Sequence, residues 1–245
     1  NGTPLKLLTL LVELETAPLI TYLNPASDSV QSLAASSQAA SIQSAQAQAR
    51  QEIEALDGLE ILDTYSLLLN GFAVSGTYAM QDTIAALPGV RAVEVAQRYD
   101  APESPVATVE PYMHSSGSLV NVSDEYTGAG ILVGVLDSGL DIHHEAFATA
   151  PETVALTKDE VSVALENLNF NAQGTVDELY ASAKIPFQYD YADGDADVTD
   201  AGGHGTHVAG TVAANCEALT GMAPDAQLAI FKVFSDTISG TGDEW

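Results

Sequence analysis

The chain has 245 residues, with 7 Lys and Arg against 34 Asp and Glu, a formal charge of −27 with histidine neutral. So acidic a chain is a poor partner for nucleic acid or an anionic membrane surface, since both require basic patches. Its 46% hydrophobic content is enough for the core of one large or two modest domains, and its single cysteine, Cys216, excludes an intrachain disulfide and reads as a small buried hydrophobe.

In chain order, Leu5 to Glu15 reads as a strand. Its apolar run, Leu7 to Val12, is too short to cross a membrane. Glu13 and Glu15 stand where a signal peptide would carry small residues for cleavage. Ser27-Asp28 can cap a helix. Val30, Leu33, Ser37, Ala40, Ala45, Ala49, Ile53 and Leu56 then recur at helical spacing, and Gly58 falls at the expected C′ position. Leu59 to Leu69 is a second strand, Asn70-Gly71 a hairpin turn, and Phe72 to Gly76 a third strand. Ala79 to Leu87 is a short helix ended by Pro88-Gly89, and Val90 to Val95 a fourth strand. The order β-α-β-β-α-β is the split-βαβ, ferredoxin-like pattern. Tyr99 to Ser118, rich in Pro, Ser and Gly, reads as an extended linker.

The second half changes character. Ile131 to Asp137 is an apolar run ending in an acid and then the turn residues Ser138-Gly139, which reads as a strand buried on both faces of a parallel sheet. Catalytic groups in open α/β sheets collect at the carboxyl ends of strands, where Asp137 falls. Thr157…Glu160 and Thr175…Glu178 each fit a capping box and so mark two helix starts. Asp190, Asp193, Asp195, Asp197 and Asp200 alternate like a calcium loop, but the EF-hand glycine and terminal glutamate are missing. They read as a solvated acidic surface loop.

Gly202 to Asn215 passes from a Gly pair and a His into small, mostly apolar residues, so His204 sits at a helix N-terminus. The positive end of a helix disfavours a protonated imidazole. A neutral His can act as a general base once a carboxylate fixes its tautomer, and Asp137 is the candidate carboxylate.

Val-Leu-Asp-Ser-Gly-Leu-Asp at 135–141 and His-Gly-Thr-His-Val-Ala-Gly at 204–210 resemble the Asp and His motifs of subtilisin-like serine peptidases. Gly221 to Ala226, followed by Gln227 to Phe234, resembles that family's next loop and strand. The resemblance implies that Asp137 and His204 are two members of a catalytic triad and that His207 is a packing residue. The long stretch between them, with Lys184 to Asp193, resembles the lactocepin-like, cell-envelope branch. Asn70 to Val74 and Leu87 to Val93 resemble the inhibitory propeptide that precedes subtilase catalytic domains. The strong calcium site of many subtilisins lacks its carboxylate, whose place falls at Ala146.

The expected fold class is therefore α/β: a ferredoxin-like α+β propeptide (1–98), a linker or processing region (99–118), and the N-terminal part of a parallel-sheet subtilisin-like peptidase domain (119–245). The family's nucleophile lies in a Gly-Thr-Ser sequence, and no serine here has that context. The expectation is a secreted or cell-surface serine endopeptidase precursor whose serine lies past Trp245, with the 245-residue chain itself inactive. By the same resemblance, Ser239 and Gly240 fall where the family forms one wall of its substrate cleft. The expected partners are protein or peptide substrates and the chain's own propeptide; no cofactor, metal or membrane span is expected in this segment.

The residues allow three rival readings. An aspartic peptidase would use Leu-Asp-Ser-Gly but needs a second such motif, which the chain lacks. A zinc site from His143, His144, His204 and His207 lacks the His-Glu-x-x-His pattern. The third is a non-catalytic pseudo-peptidase or binding module.

Overall fold

A computed structural model describes residues 6–22, 36–97, 99, 125–167 and 171–236. The chain divides into two compact units, with the break between residues 98 and 99. Apart from Tyr99, the expected linker lies outside the described residues.

In the first unit, β1 (Leu7–Leu14), β2 (Glu60–Tyr65), β3 (Gly71–Thr77) and β4 (Val90–Val95) form one sheet in the order β2-β3-β1-β4. All neighbours are antiparallel. Helix α1 (Ser37–Glu54) lies between β1 and β2 in the chain, and α2 (Gln81–Ala85) between β3 and β4. The alternating residues Leu10, Val12 and Leu14 of β1 share a core with Phe72, Val74, Val90 and Val93. Ala49 and Ile53 of α1 and Ile84 of α2 cover that face. Burial of each large aliphatic side chain contributes roughly 1.5–3 kcal/mol, enough for this unit to possess a core of its own.

The start of α1 differs from the expected one. The helix begins at Ser37, with Ser36 as N-cap accepting a hydrogen bond from the Ala39 N–H. The expected cap at Ser27-Asp28 therefore does not start it, and residues 23–35 lie outside those described. The helix buries Ala39, Ile42, Ala49 and Ile53, so the apolar stripe is displaced from Ala40 and Ala45. The helix ends at an Ala55 C-cap, and Gly58 lies past the C′ position.

Asn70-Gly71 is not a two-residue hairpin turn. β2 and β3 already pair at Tyr65 and Gly71, with residues 66–70 as the loop. Gly71 is required because a Cβ there would run into the Val12 carbonyl oxygen of β1. Asn70 is buried and closes the loop from inside, donating to the Thr16 carbonyl at 2.6 Å and accepting from Gln46 at 2.9 Å.

In the second unit, β5 (Leu132–Asp137), β6 (Phe187–Asp190) and β7 (Gln227–Lys232) form a parallel sheet ordered β5-β7-β6. Helix α3 (Lys158–Asn167) and α4 (Val176–Leu179) start where the two capping boxes predict. The Glu160 and Glu178 carboxylates accept from the backbone of Thr157 and Thr175 at 2.9 and 2.7 Å. Helix α5 (His204–Ala213) lies against one sheet face through its small residues. Ala209 and Ala213 pack with Val135, Leu228 and Ile230.

The expectation that β5 is buried on both faces is corrected. β5 is an edge strand in this sheet, and Leu132 and Leu136 of its other face are 38% and 67% exposed. Only the face toward α5 is covered, because no described element lies over Leu132 and Leu136.

Candidate active site

Asp137 ends β5, and its carbonyl accepts the Val233 N–H at 2.9 Å, so the sheet ladder holds the acid's backbone. The chain then turns at Ser138-Gly139, and the Leu140 N–H reaches the Val198 carbonyl at 2.7 Å. Gly203, at φ 79°, is the N-cap of α5, and His204 is its first residue. The next residue must be glycine. A Cβ on Gly205 would collide with the Gly139 carbonyl oxygen and come within 3.2 Å of the Asp137 Cβ. The helix N-terminus thus lies in backbone contact with the turn after β5.

That contact brings His204 Nδ1 to 2.7 Å from Asp137 Oδ1. The acid is 13% exposed and the imidazole 34%. Asp137 Oδ1 also accepts the Ser138 N–H at 2.7 Å. An ionised carboxylate only accepts, so a neutral imidazole in this contact places its proton on Nδ1 and its lone pair on Nε2. A neutral imidazole oriented in this way can remove a proton from a hydroxyl, and the carboxylate stabilises the imidazolium that forms.

Asp200 and Ser138 complete the surroundings, and the motifs in the sequence assign neither a role there. Asp200 Oδ1 accepts the Gly203 N–H at 2.9 Å, and its Oδ2 accepts the Thr206 N–H at 2.8 Å. The Ser138 hydroxyl donates to Asp200 Oδ1 at 2.9 Å and accepts the Gly205 N–H at 3.0 Å. Burial pushes the Asp200 carboxyl up, but the donors from Thr206, Ser138 and Gly203 outweigh it and hold the group below the usual aspartate value. The signal available in the sequence was an acid four residues before the helix, a local N-terminal partner for orphan N–H groups.

The acidic loop is only partly a solvated surface. Asp193, Asp195 and Asp197 are exposed, but Asp190 is 1% exposed. Its Oδ2 meets the buried Lys232 ammonium at 2.8 Å, and Asp236 meets the same ammonium at 2.5 Å. Burial opposes the charge on Lys232, but the two carboxylates prevail and hold it above the usual lysine value. Among the described residues, Asp190, Asp193 and Asp236 are the acids close enough to share an ion, and Lys232 already bridges two of them. The histidines at 143, 144, 204 and 207 form no such group among the described residues.

His207 is exposed, so it is not a packing residue in this structure. Cys216 is half-buried rather than buried, with Sγ 3.6 Å from the Leu219 carbonyl. Ser239 and Gly240 lie outside the described residues.

Comparison with known proteins shows what this chain is similar to. Residues 128–245 match the subtilase family, Peptidase_S8. The chain is thus similar to subtilisin-like peptidases and to the lactocepin-like branch among them. It is 29% identical over 213 residues to the PII-type proteinase of Lactococcus lactis subsp. cremoris, covering 81% of this chain and 10% of that protein. Over 137 residues it is 34% identical to the minor extracellular protease Vpr of Bacillus subtilis, covering 54% of this chain and 14% of Vpr. Over 163 residues it is 28% identical to a C5a peptidase of Streptococcus pyogenes, covering 58% of this chain and 13% of that protein. The chain spans about a tenth of the length of the first of these relatives.

Proposed function

We propose that these residues belong to a secreted or cell-surface serine endopeptidase precursor that hydrolyses peptide bonds in proteins. The observation that carries this reading is the 2.7 Å contact between Asp137 and His204 at the carboxyl end of a parallel sheet, within subtilase sequence. In the reaction, a serine from sequence outside these residues attacks the peptide carbonyl carbon. His204 Nε2 takes its proton and passes it to the leaving amine, and Asp137 holds the imidazole through Nδ1. Water then releases the acyl group by the same route. Ser239 and Gly240 belong to the substrate cleft in this reading. The extracellular location named for Vpr supports the assignment to the outside of the cell.

Residues 1–98 are read as a ferredoxin-like inhibitory propeptide, 99–118 as a linker and processing region, and 119–245 as the N-terminal part of the peptidase domain. The β-α-β-β-α-β element order and the strand order β2-β3-β1-β4 support the first assignment. In this reading the segment after β4, Ala96 to Asp100, supplies the inhibitory affinity toward the mature enzyme through main-chain hydrogen bonds.

Two measurements test the reading. The 245-residue chain is expected to hydrolyse no peptide and to take up no serine-directed fluorophosphonate label, because no serine stands in the nucleophile's context. The full-length protein should be labelled stoichiometrically. An unlabelled, inactive full-length protein would leave the pseudo-peptidase as the better account. Separately, residues 1–100 added in trans should inhibit the mature full-length enzyme, and removal of Ala96 to Asp100 should weaken that inhibition more than substitution of Gln43 on α1. A folded 1–100 segment without effect on activity would overturn the propeptide assignment.

A further inference from the structure

The backbone on both sides of His204 is tied to two side chains that the catalytic reading does not use. Gly203 and Thr206 donate their N–H groups to the two oxygens of Asp200, and Gly205 donates to the Ser138 hydroxyl. That hydroxyl in turn donates to Asp200, while the backbone N–H of Ser138 is held by Asp137. The hydrogen bonds therefore run continuously from the Asp137 carboxylate, through Ser138 and Asp200, to three of the residues that start α5. Gly205 is already in close contact with the turn after β5, so at that point the helix end has no room to come closer. The Asp200–Ser138 pair adds hydrogen bonds on the residues at either side of that contact.

We propose that Asp200 and Ser138 are positioning residues that fix the angle of the α5 N-terminus and so keep His204 Nδ1 on Asp137. Neither hydrogen-bonds to the imidazole. They act through the backbone, and the carboxylate also neutralises N–H groups that the helix leaves without partners. The kinetic part of the inference rests on the peptidase reading; the geometric part does not.

The test uses Asp200→Asn, Ser138→Ala and Ser138→Thr. Asn presents an amide N–H₂ to one of the donors that Asp200 now accepts, Ala removes the bridging hydroxyl, and Thr retains it. In the 245-residue chain, the low-field Nδ1 proton resonance of His204 is recorded by NMR. It should be present in the unsubstituted chain and in Ser138→Thr, and shifted or lost by exchange in the other two. In the full-length protein, kcat should fall by about 10- to 100-fold in Asp200→Asn and Ser138→Ala, as a misplacement on the order of 1 Å produces. KM should change by less than about threefold, since no substrate contact is touched. A His204→Ala control separates the two readings. If full-length activity does not depend on His204, the peptidase reading fails while the NMR arm still decides the positioning role. If activity depends on His204 but the resonance and kcat are unchanged in both Asp200→Asn and Ser138→Ala, the positioning role is overturned and the peptidase reading stands. Should Asp200→Asn fail to fold, Ser138→Ala against Ser138→Thr decides alone, because both leave the Gly203 and Thr206 hydrogen bonds on Asp200 intact.

Discussion

Replacing His204 with alanine in the full-length protein is expected to lower kcat on the order of 10⁶-fold, and Asp137→Asn by about 10⁴-fold, with little change in KM. These are the losses that removal of the His or of the Asp produces in serine peptidases with an Asp-His-Ser triad. The asymmetry has a physical cause. In the proposed reaction His204 carries the proton, and its removal would leave the nucleophile without a base. Asn at 137 has no charge to stabilise the imidazolium, and wherever its N–H₂ rather than its oxygen faces Nδ1 it holds the tautomer with the proton on Nε2, at the cost of the Ser138 N–H bond. The base is then blocked rather than absent. Single-turnover and steady-state rates on one chromogenic peptide would measure both losses. Losses below about tenfold in both variants would show that this pair is not the acid–base apparatus.

The second large effect concerns stability. Lys232→Ala should destabilise the second unit by about 3–5 kcal/mol, the usual consequence of leaving a buried charge without its partner. Asp190 is buried and its Oδ2 faces the ammonium at 2.8 Å, while its Oδ1 accepts the Ala192 and Asp193 N–H groups. Asp190→Asn keeps that Oδ1 acceptor and removes the charge, so Lys232→Met/Asp190→Asn should lose less than Lys232→Ala alone. Urea unfolding followed by a probe confined to the second unit is needed, since a chain of two units need not unfold in one step. A double variant as unstable as the single one would mean that lost packing, not unpaired charge, dominates. The pH dependence has a definite sign. The folded Lys232 value lies above the unfolded one, so its stabilisation is fully present below the ordinary lysine range near 10.4 and is lost only as pH rises through the folded value.

Features that depend only on neighbours along the chain are legible in the residues themselves. The capping boxes at Thr157 and Thr175 close within three residues, and both helices begin there. The strand Val90–Val95 is legible in full, from its β-branched residues and the Pro88-Gly89 stop before it. The candidacy of Asp137 and His204 is legible too, because each sits in a local context, a strand end and a helix start, that suits its chemistry. For the helix before β2, the pattern places the second half correctly and the start wrongly, since Ser36 and Ser27 are equally good caps by composition.

What the sequence determined by itself was therefore the order of the elements, the alternation or periodicity of each, and the identity of the acid and the imidazole that could work together. Only the tertiary structure decided which residues meet. Gly71 is glycine because of Val12 in another strand, Asp190 is buried because Lys232 arrives from β7, and β5 is an edge because, among the described residues, β7 is the one strand that pairs with it. The same holds at the site. Gly205 admits the helix to the turn after β5, and Asp200 with Ser138 ties it there. Hydrogen bonds, charge pairing and steric exclusion all act over a few ångströms of space, so between residues distant in the chain they leave no periodic trace along it.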